Sequence, residues 1–205
     1  MKVILFNGSP KEKGCTYTAL CEIKKVLEEE GVEAVIFHAG KATKGCMGCG
    51  YCAKNKKCVT DDCVNEALAL LDDADGFVFG SPVHYAAASG AMTSFLDRLF
   101  YSGSAKMKLK ACAVVASCRR GGSTATIDQL LKYPEFNQMI IVSGQYWPMV
   151  HGQTPEQVVQ DEEGMQVMRT IGKNMAWVLK CMKAGKDAGI NPPAGEDKIK
   201  TNFIR

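Results

Sequence analysis

Four cysteines are the residues of this chain whose spacing most directly suggests chemistry. They are separated by two, two and five residues and stand at Cys46, Cys49, Cys52 and Cys58. Zinc sites usually combine two close ligands with two others about a dozen residues away, whereas three cysteines at two-residue gaps are typical of iron–sulfur ligation. The spacing therefore favours a cubane cluster. Zinc, or free or paired thiols, are the alternatives, and Cys63 could replace one ligand.

A second group of residues, between Phe6 and Thr16, combines glycines, hydroxyl groups and positive charge in the order Phe-Asn-Gly-Ser-Pro-Lys-Glu-Lys-Gly-Cys-Thr. It joins an apolar run to a predicted helix, whose free N–H groups and dipole favour an anion. Ser9 and Thr16 can donate to phosphate oxygens, and Lys11 adds charge. Thr16 is also a suitable N-cap for the helix. The segment predicts a phosphate cradle, with an ordinary capped turn as the alternative.

The motifs that this loop lacks narrow the choice of phosphate ligand. It contains no Gly-x-Gly-x-x-Gly, so a tightly held dinucleotide is not expected. It also lacks the lysine of the Walker loop Gly-x4-Gly-Lys-[Ser/Thr], which excludes an NTPase. A mononucleotide phosphate is the remaining prediction.

Apolar strands and amphipathic helices alternate along the chain and must position these groups. A helix follows each of five predicted strands, over 2–6, 33–38, 76–80, 110–116 and 139–142. This alternation predicts an α/β fold with a doubly wound, five-stranded parallel sheet and helices on both faces. Ligands of such sheets bind at the carboxyl ends of the strands. The phosphate cradle follows the first strand and the cysteines follow the second, so both groups leave that edge.

Length and composition favour one domain in a reducing compartment. The 205 residues suit a domain over 1–184 with a Cys-rich insertion at 40–62, followed by an extended arm over 185–205. The formal charge of +3 comes from scattered lysines, so no nucleic-acid partner is expected. Ten cysteines without a secretion signal or a membrane span indicate a cytoplasmic protein with no membrane partner.

Two loops resemble the flavin loops of the NADPH-dependent FMN reductases, a flavodoxin-like family. The sequence Gly-Ser-Pro-Lys-x-x-Gly-Cys-Thr at 8–16 is similar to that family's Gly-Ser-Pro-Arg-x-x-Gly-Asn-Thr, and Gly-Ser-Pro-Val-His-Tyr at 80–85 is similar to its Gly-Ser-Pro-Val-Tyr. Lys11 in place of Arg loses a bidentate fork. Cys15 in place of Asn loses a hydrogen bond, and His84 stands where Tyr is commoner. The resemblance implies a flavodoxin-like sheet with the strand order 2-1-3-4-5.

The resemblance also implies an FMN site formed by the loops after the first, third and fourth strands. Donors in the third of these loops would face the N1–C2=O edge of the flavin, which gains negative charge on reduction. Solvated surface arginines are the alternative there. The predicted cofactor-binding residues are Ser9, Lys11, Gly14, Cys15, Thr16, Pro82, Val83, His84, Tyr85, Ser117, Arg119, Arg120, Gly121 and Gly122.

The cysteine array resembles the iron–sulfur flavoprotein branch of the same family, which implies a [4Fe–4S] cluster as a second cofactor. The implied function is a flavin oxidoreductase in which NAD(P)H reduces FMN, and electrons pass to a quinone, a nitro or azo compound, or a redox protein. An electron carrier without enzymatic activity is the alternative, although carriers of this type are strongly acidic. The resemblance also implies a homodimer or homotetramer.

The chemistry of the implied reaction belongs to the flavin, so no catalytic acid, base or nucleophile is predicted. Aromatic and imidazole side chains after the third and fifth strands could instead line the substrate space. For Trp147 and its neighbour Tyr146, a place in the core is an equal alternative. The candidates for this substrate wall are His84, Tyr85, Trp147 and His151.

Overall fold

A largely parallel sheet lies at the centre of the chain in our computed structural model, which describes residues 1–42, 44–201 and 203. Each strand begins and ends within a few residues of an apolar run in the sequence. The strands are β1 (Lys2–Asn7), β2 (Glu33–His38), β3 (Gly76–His84), β4 (Ala87–Ala88), β5 (Ala111–Cys118), β6 (Ile140–Ile141) and β7 (Met149–His151).

The sheet has the order β2-β1-β3-β5-β6, and every pair along this path is parallel. The predicted doubly wound α/β class is therefore confirmed. The predicted order 2-1-3-4-5 becomes 2-1-3-5-6 because the short antiparallel strand β4, which pairs with β3, enters the count. The strand predicted over 139–142 corresponds to β6, which is shorter than that range. It lies at the sheet edge, where both isoleucines of β6 are about 40% exposed.

Helices cover both faces of this sheet. α1 (Cys15–Glu29) and α7 (Glu162–Asp187) pack on one face, and α3 (Cys63–Leu70), α4 (Gly90–Met107) and α5 (Ser123–Phe136) pack on the other. Two short helices, α2 (Tyr51–Asn55) and α6 (Pro155–Val158), complete the set. The helices on the two faces enclose two cores, and successive side chains of β1 point alternately into one core and the other. A strand buried on both faces is therefore apolar throughout.

One core is rich in phenylalanine. Phe6 stacks on Phe79 with ring centroids 5.5 Å apart and packs at 5.2 Å against Phe95 of α4. Aromatic pairs at these distances contribute beyond the area that they bury. The cluster fixes the position of α4 relative to β1 and β3, whose carboxyl ends carry two of the predicted flavin loops.

The segment after residue 80 is a strand, where the sequence analysis predicted a loop. β3 continues to His84 and turns back into β4 through Tyr85 and Ala86, whose φ angles are 51° and 58°. Two consecutive left-handed residues match the twist of a two-residue hairpin, usually with Asn or Gly in these positions. Because neither Asn nor Gly is present at 85 and 86, no hairpin could be predicted here. Pro82 and Val83 therefore lie in a strand, and Tyr85 is fully exposed at the tip.

The Cys-rich segment lies between β2 and α3, and its described residues include a 3-10 turn (Ala39–Lys41) and the short helix α2. At the other end of the chain, α7 continues to Asp187, past the predicted start of the arm. The residue Thr43 of the predicted insertion lies outside the described residues, as do Asn202, Ile204 and Arg205 of the predicted arm. Among the helices that the structure describes, none combines the length and apolarity that crossing a membrane requires.

Candidate functional site

The loop between β1 and α1 is folded around two buried polar side chains. The Asn7 amide donates to the carbonyl of Glu12 at 2.8 Å, and its oxygen accepts from the backbone N–H of Ser9 at 3.1 Å. The Ser9 hydroxyl in turn accepts from the N–H of Lys11 at 3.1 Å. Asn7, which the sequence analysis missed, is fully buried at the end of an apolar strand. A polar residue in that place was the available signal.

The underside of this loop rests on the end of β2. The imidazole Nε2 of His38 lies 2.8 Å from the carbonyl oxygen of Ser9, and no described residue bonds its buried Nδ1. Gly40 packs so closely that a Cβ there would lie 1.8 Å from the same oxygen. The chain after β2 therefore supports the loop after β1.

Helix α1 begins with an uncapped N-terminus directed at this loop. Its N-cap is Gly14, which supplies no side-chain acceptor. The prediction that Thr16 caps the helix is wrong, because Thr16 lies inside the first turn and its side chain is buried. The first N–H groups of a helix have no intrahelical acceptor. Those of α1, together with exposed Lys11, fit a bound phosphate.

Cys15 stands where the resembled phosphate loop has asparagine, and its thiol contacts the segment after β7. Its Sγ donates to the carbonyl of Gly152 at 3.6 Å. Burial raises the pKa of this thiol, which outweighs the opposing effect of its backbone hydrogen bond and of Lys11. The sulfur is therefore protonated at neutral pH and joins α1 to the segment after β7.

Three hydrogen bonds connect the segments at the carboxyl ends of β1, β3 and β5, and a fourth lies within the segment between β3 and α4. The Ser89 hydroxyl donates to the carbonyl of Gly8 at 2.7 Å, while the N–H of Ser89 donates to the hydroxyl of Ser81 at 2.9 Å. The N–H of Gly8 also donates to the carbonyl of Gly80, in β3, at 2.8 Å. The hydroxyls of Thr16 and Ser117 lie 2.8 Å apart. All three predicted flavin segments thus meet at one edge.

The loop after β5 touches the β3–β4 hairpin through a glycine. Gly122 has a φ of 86°, and a Cβ there would lie 2.8 Å from the Cα of Ala86. Arg119, Arg120 and Gly121 are exposed beside it. Backbone N–H groups and two guanidinium groups are therefore available at the edge where the N1–C2=O side of a flavin is predicted.

The candidate wall residues after the fifth strand are on the surface. Tyr146 and Trp147 are about half exposed and form a T-shaped pair with centroids 4.6 Å apart, so the alternative that they belong to the core is wrong. His151 is fixed by Asp161, which accepts from its backbone N–H at 2.6 Å. These three side chains border a shallow hollow of about 30 Å³.

The four cysteines line one cavity of about 190 Å³ beside α4. This is more than ten times the space that a single buried water requires, about 10–15 Å³. Cys46 and Cys49 are exposed, whereas Cys52 and Cys58 are half-buried, and all ten cysteines are free thiols. In the described part of the chain, no three His, Cys, Asp or Glu side chains converge on one point as the ligands of a single ion do.

Cys63, the proposed substitute ligand, belongs to the core instead. It is 7% exposed and is absent from the residues that line the cavity. Burial raises the pKa of its thiol, and the carboxylates of Asp62 and Glu66 act in the same direction. The structure therefore places the four spaced cysteines, and not Cys63, around the cavity.

An arginine that the sequence analysis missed closes the inner wall of this cavity. The Arg98 side chain is 1% exposed and pairs with Asp62. The Asp62 hydrogen bonds raise the pKa of the guanidinium further. Burial opposes ionisation of Asp62, but the hydrogen bonds from Arg98 and Val64 hold its pKa below the ordinary value. The signal was a charged residue three positions after Phe95, within the apolar stripe of α4.

Comparison with known proteins places this arrangement in a family. Residues 1–154 match the NADPH-dependent FMN reductase family. The chain belongs to the NADPH-dependent FMN reductase family. An iron–sulfur flavoprotein of Methanocaldococcus jannaschii is 33% identical over 193 residues, which cover 89% of this chain and 100% of that protein. The sequence-based recognition of this family and of its iron–sulfur flavoprotein branch is thus confirmed.

Further comparisons agree with this membership of the FMN reductase family. An iron–sulfur flavoprotein of Archaeoglobus fulgidus is 31% identical over 88% of this chain and 98% of its own length. The solved structure of a flavodoxin from the domain Archaea superposes with a TM-score of 0.61 at 15% identity, covering 88% of this chain and 99% of that one. This structural likeness shows that the chain has a flavodoxin-like fold.

Proposed function

We propose that this chain is a flavin oxidoreductase that binds FMN at the carboxyl edge of its sheet and accepts electrons from NAD(P)H. The observation that carries the proposal is the set of hydrogen bonds that joins the segments at the carboxyl ends of β1, β3 and β5 into one edge. Family membership supports it, since the matched family is named for FMN reduction by NADPH. When bound, FMN supplies the hydride and electron chemistry.

The residues of the edge bind and orient the cofactor in this proposal. The uncapped start of α1 and the Lys11 charge bind the phosphate. Arg119, Arg120 and the N–H groups of Gly121 and Gly122 stabilise negative charge at the N1–C2=O side of the ring. The proposed FMN contacts are those of the sequence analysis, namely Ser9, Lys11, Gly14, Cys15, Thr16, Pro82, Val83, His84, Tyr85, Ser117, Arg119, Arg120, Gly121 and Gly122.

The substrate space of this proposed enzyme is walled by exposed side chains around the edge. His84 and Tyr85 come from the β3–β4 hairpin, and Trp147 and His151 come from the segment beside the end of β5. Flat, exposed rings suit a planar acceptor such as a quinone, a nitro compound or an azo compound. A redox protein is the other proposed class of acceptor.

We also propose that Cys46, Cys49, Cys52 and Cys58 hold a [4Fe–4S] cluster, which when bound supplies one-electron transfer. The four thiols share one cavity, and each thiolate of a cubane binds a different iron, so its sulfurs need not converge on one point. The cavity residue Arg98 lies eight residues after the start of α4 at Gly90, or about 12 Å along the helix axis at a rise of about 1.5 Å per residue. Helix α4 thus runs from the flavin edge to the cavity.

An electron carrier without enzymatic activity is the second candidate. The exposure of Cys46 and Cys49 favours it, because electrons could leave through the open side of the cavity to a docked protein. A carrier needs a protein partner for its reduction, whereas a reductase is reduced by NADH or NADPH alone.

The deciding experiment is an absorption spectrum of protein purified without oxygen, with flavin, iron and acid-labile sulfide counts. We expect one FMN and about four irons per chain, and bleaching of the flavin bands when NADPH or NADH is added. Bleaching only after a reducing partner protein is added would favour the carrier. Protein that binds no FMN would overturn both candidates.

A matched pair of lysine variants tests the phosphate site. Lys11→Ala should raise the Kd of FMN by about ten- to a hundredfold, because a charge-assisted hydrogen bond contributes about 1.5–3 kcal/mol. Lys25→Ala removes an equal charge from α1 at an exposed position paired with Glu29, and should leave the Kd unchanged. Quenching of FMN fluorescence measures both. Equal Kd values for the two variants would contradict the assignment.

Our proposal includes a cytoplasmic homodimer or homotetramer. Light scattering during size-exclusion chromatography of the holoprotein gives the mass directly, for comparison with 22.2 kDa for one chain. A monomer at micromolar concentration would contradict the oligomer.

A further inference from the structure

Arg98 is a fully satisfied guanidinium buried between the cysteine cavity and the core. Two of its N–H groups donate to Asp62 at 2.7 and 2.8 Å, and two others donate to the carbonyls of Thr60 at 3.0 Å and Lys44 at 3.2 Å. The fifth, on Nε, donates to the Sγ of Cys58 at 3.2 Å. A guanidinium has five donors in a fixed plane. Four of them are occupied by oxygen, so the plane is held with the fifth directed at sulfur.

The chain gains little stability from burying such a pair. Removing two charges from water costs several kcal/mol per ion, and apolar replacements of buried pairs are often neutral or stabilising. An apolar side chain at position 98 would continue the stripe formed by Phe95 and Leu99. The presence of a charge in this place is therefore better explained by its contact with Cys58 than by stability.

Cys58 is held from two sides, unlike the other cysteines of the cavity. The side chain of Asn65 brackets its backbone, accepting from the N–H at 2.9 Å and donating to the carbonyl at 3.1 Å. Arg98 fixes the sulfur. By contrast, Cys46 and Cys49 are exposed. Cys58 is thus held at both its backbone and its sulfur by contacts within the chain.

We propose that Arg98 is a positioning residue that directs the Cys58 sulfur into the cavity and raises the reduction potential of the cluster held there. This inference rests on the proposed function, because it requires the cluster. Hydrogen bonds to ligand sulfurs and nearby positive charge favour the reduced, more negative state of an iron–sulfur centre. Arg98 supplies both at one ligand, and Asp62 holds it in the orientation that does so.

The test uses anaerobically reconstituted protein and a redox titration monitored by electron paramagnetic resonance. The variants are Arg98→Lys, which keeps the charge but loses the fork, and the double variant Arg98→Gln with Asp62→Asn, which leaves no unpaired charge. The control is Lys106→Gln, which removes a charge of the same sign from α4 at its exposed pair with Asp72.

We expect the ratio of reduced to oxidised cluster at a fixed potential to fall at least tenfold in the double variant, a shift of 59 mV for a one-electron couple. Arg98→Lys should show a smaller shift of the same sign, and Lys106→Gln should show none. The FMN couple of each variant should match the wild type. A double variant that folds, as judged by circular dichroism, but holds less than half the wild-type iron also supports positioning.

Two results would overturn the inference, and they are distinguishable. Variants that keep both the wild-type iron content and the wild-type cluster potential would overturn the role of Arg98 and leave the proposed function intact. Wild-type protein that takes up FMN but no iron or sulfide would overturn the proposed cluster and this inference with it.

Discussion

The carboxyl edge of the sheet and the cysteine cavity are constructed in opposite ways. At the edge, the buried side chains of Asn7 and Ser81 bond within their own segments, and those of Ser89 and Ser117 bond one segment to the next. At the cavity, one end of the loop is anchored on Arg98, and the first two cysteines are exposed. The edge is therefore formed before its ligand binds.

The comparison shows how the same fold can prepare two kinds of site. Hydrogen bonds within the chain already order the flavin edge, so binding costs little conformational entropy there, which favours affinity. A loop whose ligands are ordered by the bound group couples binding to local folding instead. We expect the edge to keep its structure without FMN, and the cysteine loop to gain protection from hydrogen exchange when iron and sulfide are added.

The largest expected effect comes from breaking the anchor of the cysteine loop. Asp62→Ala leaves the Arg98 charge buried without its partner and removes the N-cap of α3. It should lower the free energy of unfolding by about 3 kcal/mol, measured by urea denaturation. Asp187→Ala breaks a pair whose two side chains are 61% exposed, and should cost less than about 0.5 kcal/mol.

Asp62→Ala also tests whether the flavin edge depends on the cysteine loop. Because Asp62 does not contact the flavin loops, the Kd of FMN should stay within about twofold of the wild type wherever the variant is folded. A large loss of FMN affinity in Asp62→Ala would show that the two regions are not independent.

The next effect concerns the support beneath the flavin edge. Gly40→Ala places a methyl group against the backbone oxygen of Ser9, so the chain after β2 and the phosphate loop must separate. We expect a loss of about 2 kcal/mol in stability and weaker FMN binding. Gly185→Ala, in α7, adds a methyl at ordinary contact distance and should be neutral or slightly stabilising. Unchanged FMN affinity in Gly40→Ala would contradict the conclusion that the chain after β2 supports the phosphate loop.

A smaller effect is expected from the hydrogen bond that joins two of the flavin loops. Thr16→Val leaves the buried Ser117 hydroxyl without this partner and should cost about 1 kcal/mol. The double variant with Ser117→Ala should cost less than the sum of the two single variants, because neither group is then unsatisfied. Strict additivity in urea denaturation would show that the bond contributes nothing to the edge.

The smallest effect is chemical and requires no substitution. Burial raises the pKa of the Cys112 thiol from 9.0 to about 12, so it stays protonated and therefore unreactive at pH 9. In iron-free protein, iodoacetamide should label Cys46, Cys49 and Cys181 at pH 9 and leave Cys112 unlabelled, as mass spectrometry would show.

The same shift gives a stability dependence whose sign is fixed. The pKa of Cys112 is higher in the folded protein than in the unfolded chain. Its contribution to the free energy of unfolding is therefore complete below about pH 9 and declines as the pH rises towards 12. A wild-type free energy of unfolding that falls faster over this range than that of Cys112→Ala would confirm the sign. Equal slopes would contradict it.

Much of the fold could be predicted because its signals are local. A continuous apolar run such as β1 indicates a strand buried on both faces, and the glycines and prolines between periodic segments mark the loops. The hairpin at Tyr85 and Ala86 could not be predicted, since non-glycine residues in the left-handed region give no sequence signal. The N-cap of α1 was misplaced because the loop contained a hydroxyl residue as well as the glycine that occupies the position.

The candidate site was predictable in its motifs and not in its supports. Spacing identified the four cysteines, whereas Arg98 lies 40 residues from Cys58 and contacts it only after α4 has packed on the sheet. His38 likewise meets Ser9 across 29 residues. Such contacts depend on tertiary packing, which a single sequence does not specify. The exposure of Trp147 depends on the same packing, because a short apolar and aromatic segment is equally compatible with a core or a surface.

The placement of the Cys-rich segment between β2 and α3 has a consequence for how such chains diversify. The groups that hold its last cysteine, Cys58, are supplied by Arg98, Asp62 and Asn65, none of which takes part in the hydrogen bonds that join the flavin loops. A lineage could therefore lose or remodel the cysteine loop beyond Gly40, which packs against Ser9, while its flavin edge stayed intact. Descent with such losses would yield relatives that share one redox centre and differ in the other.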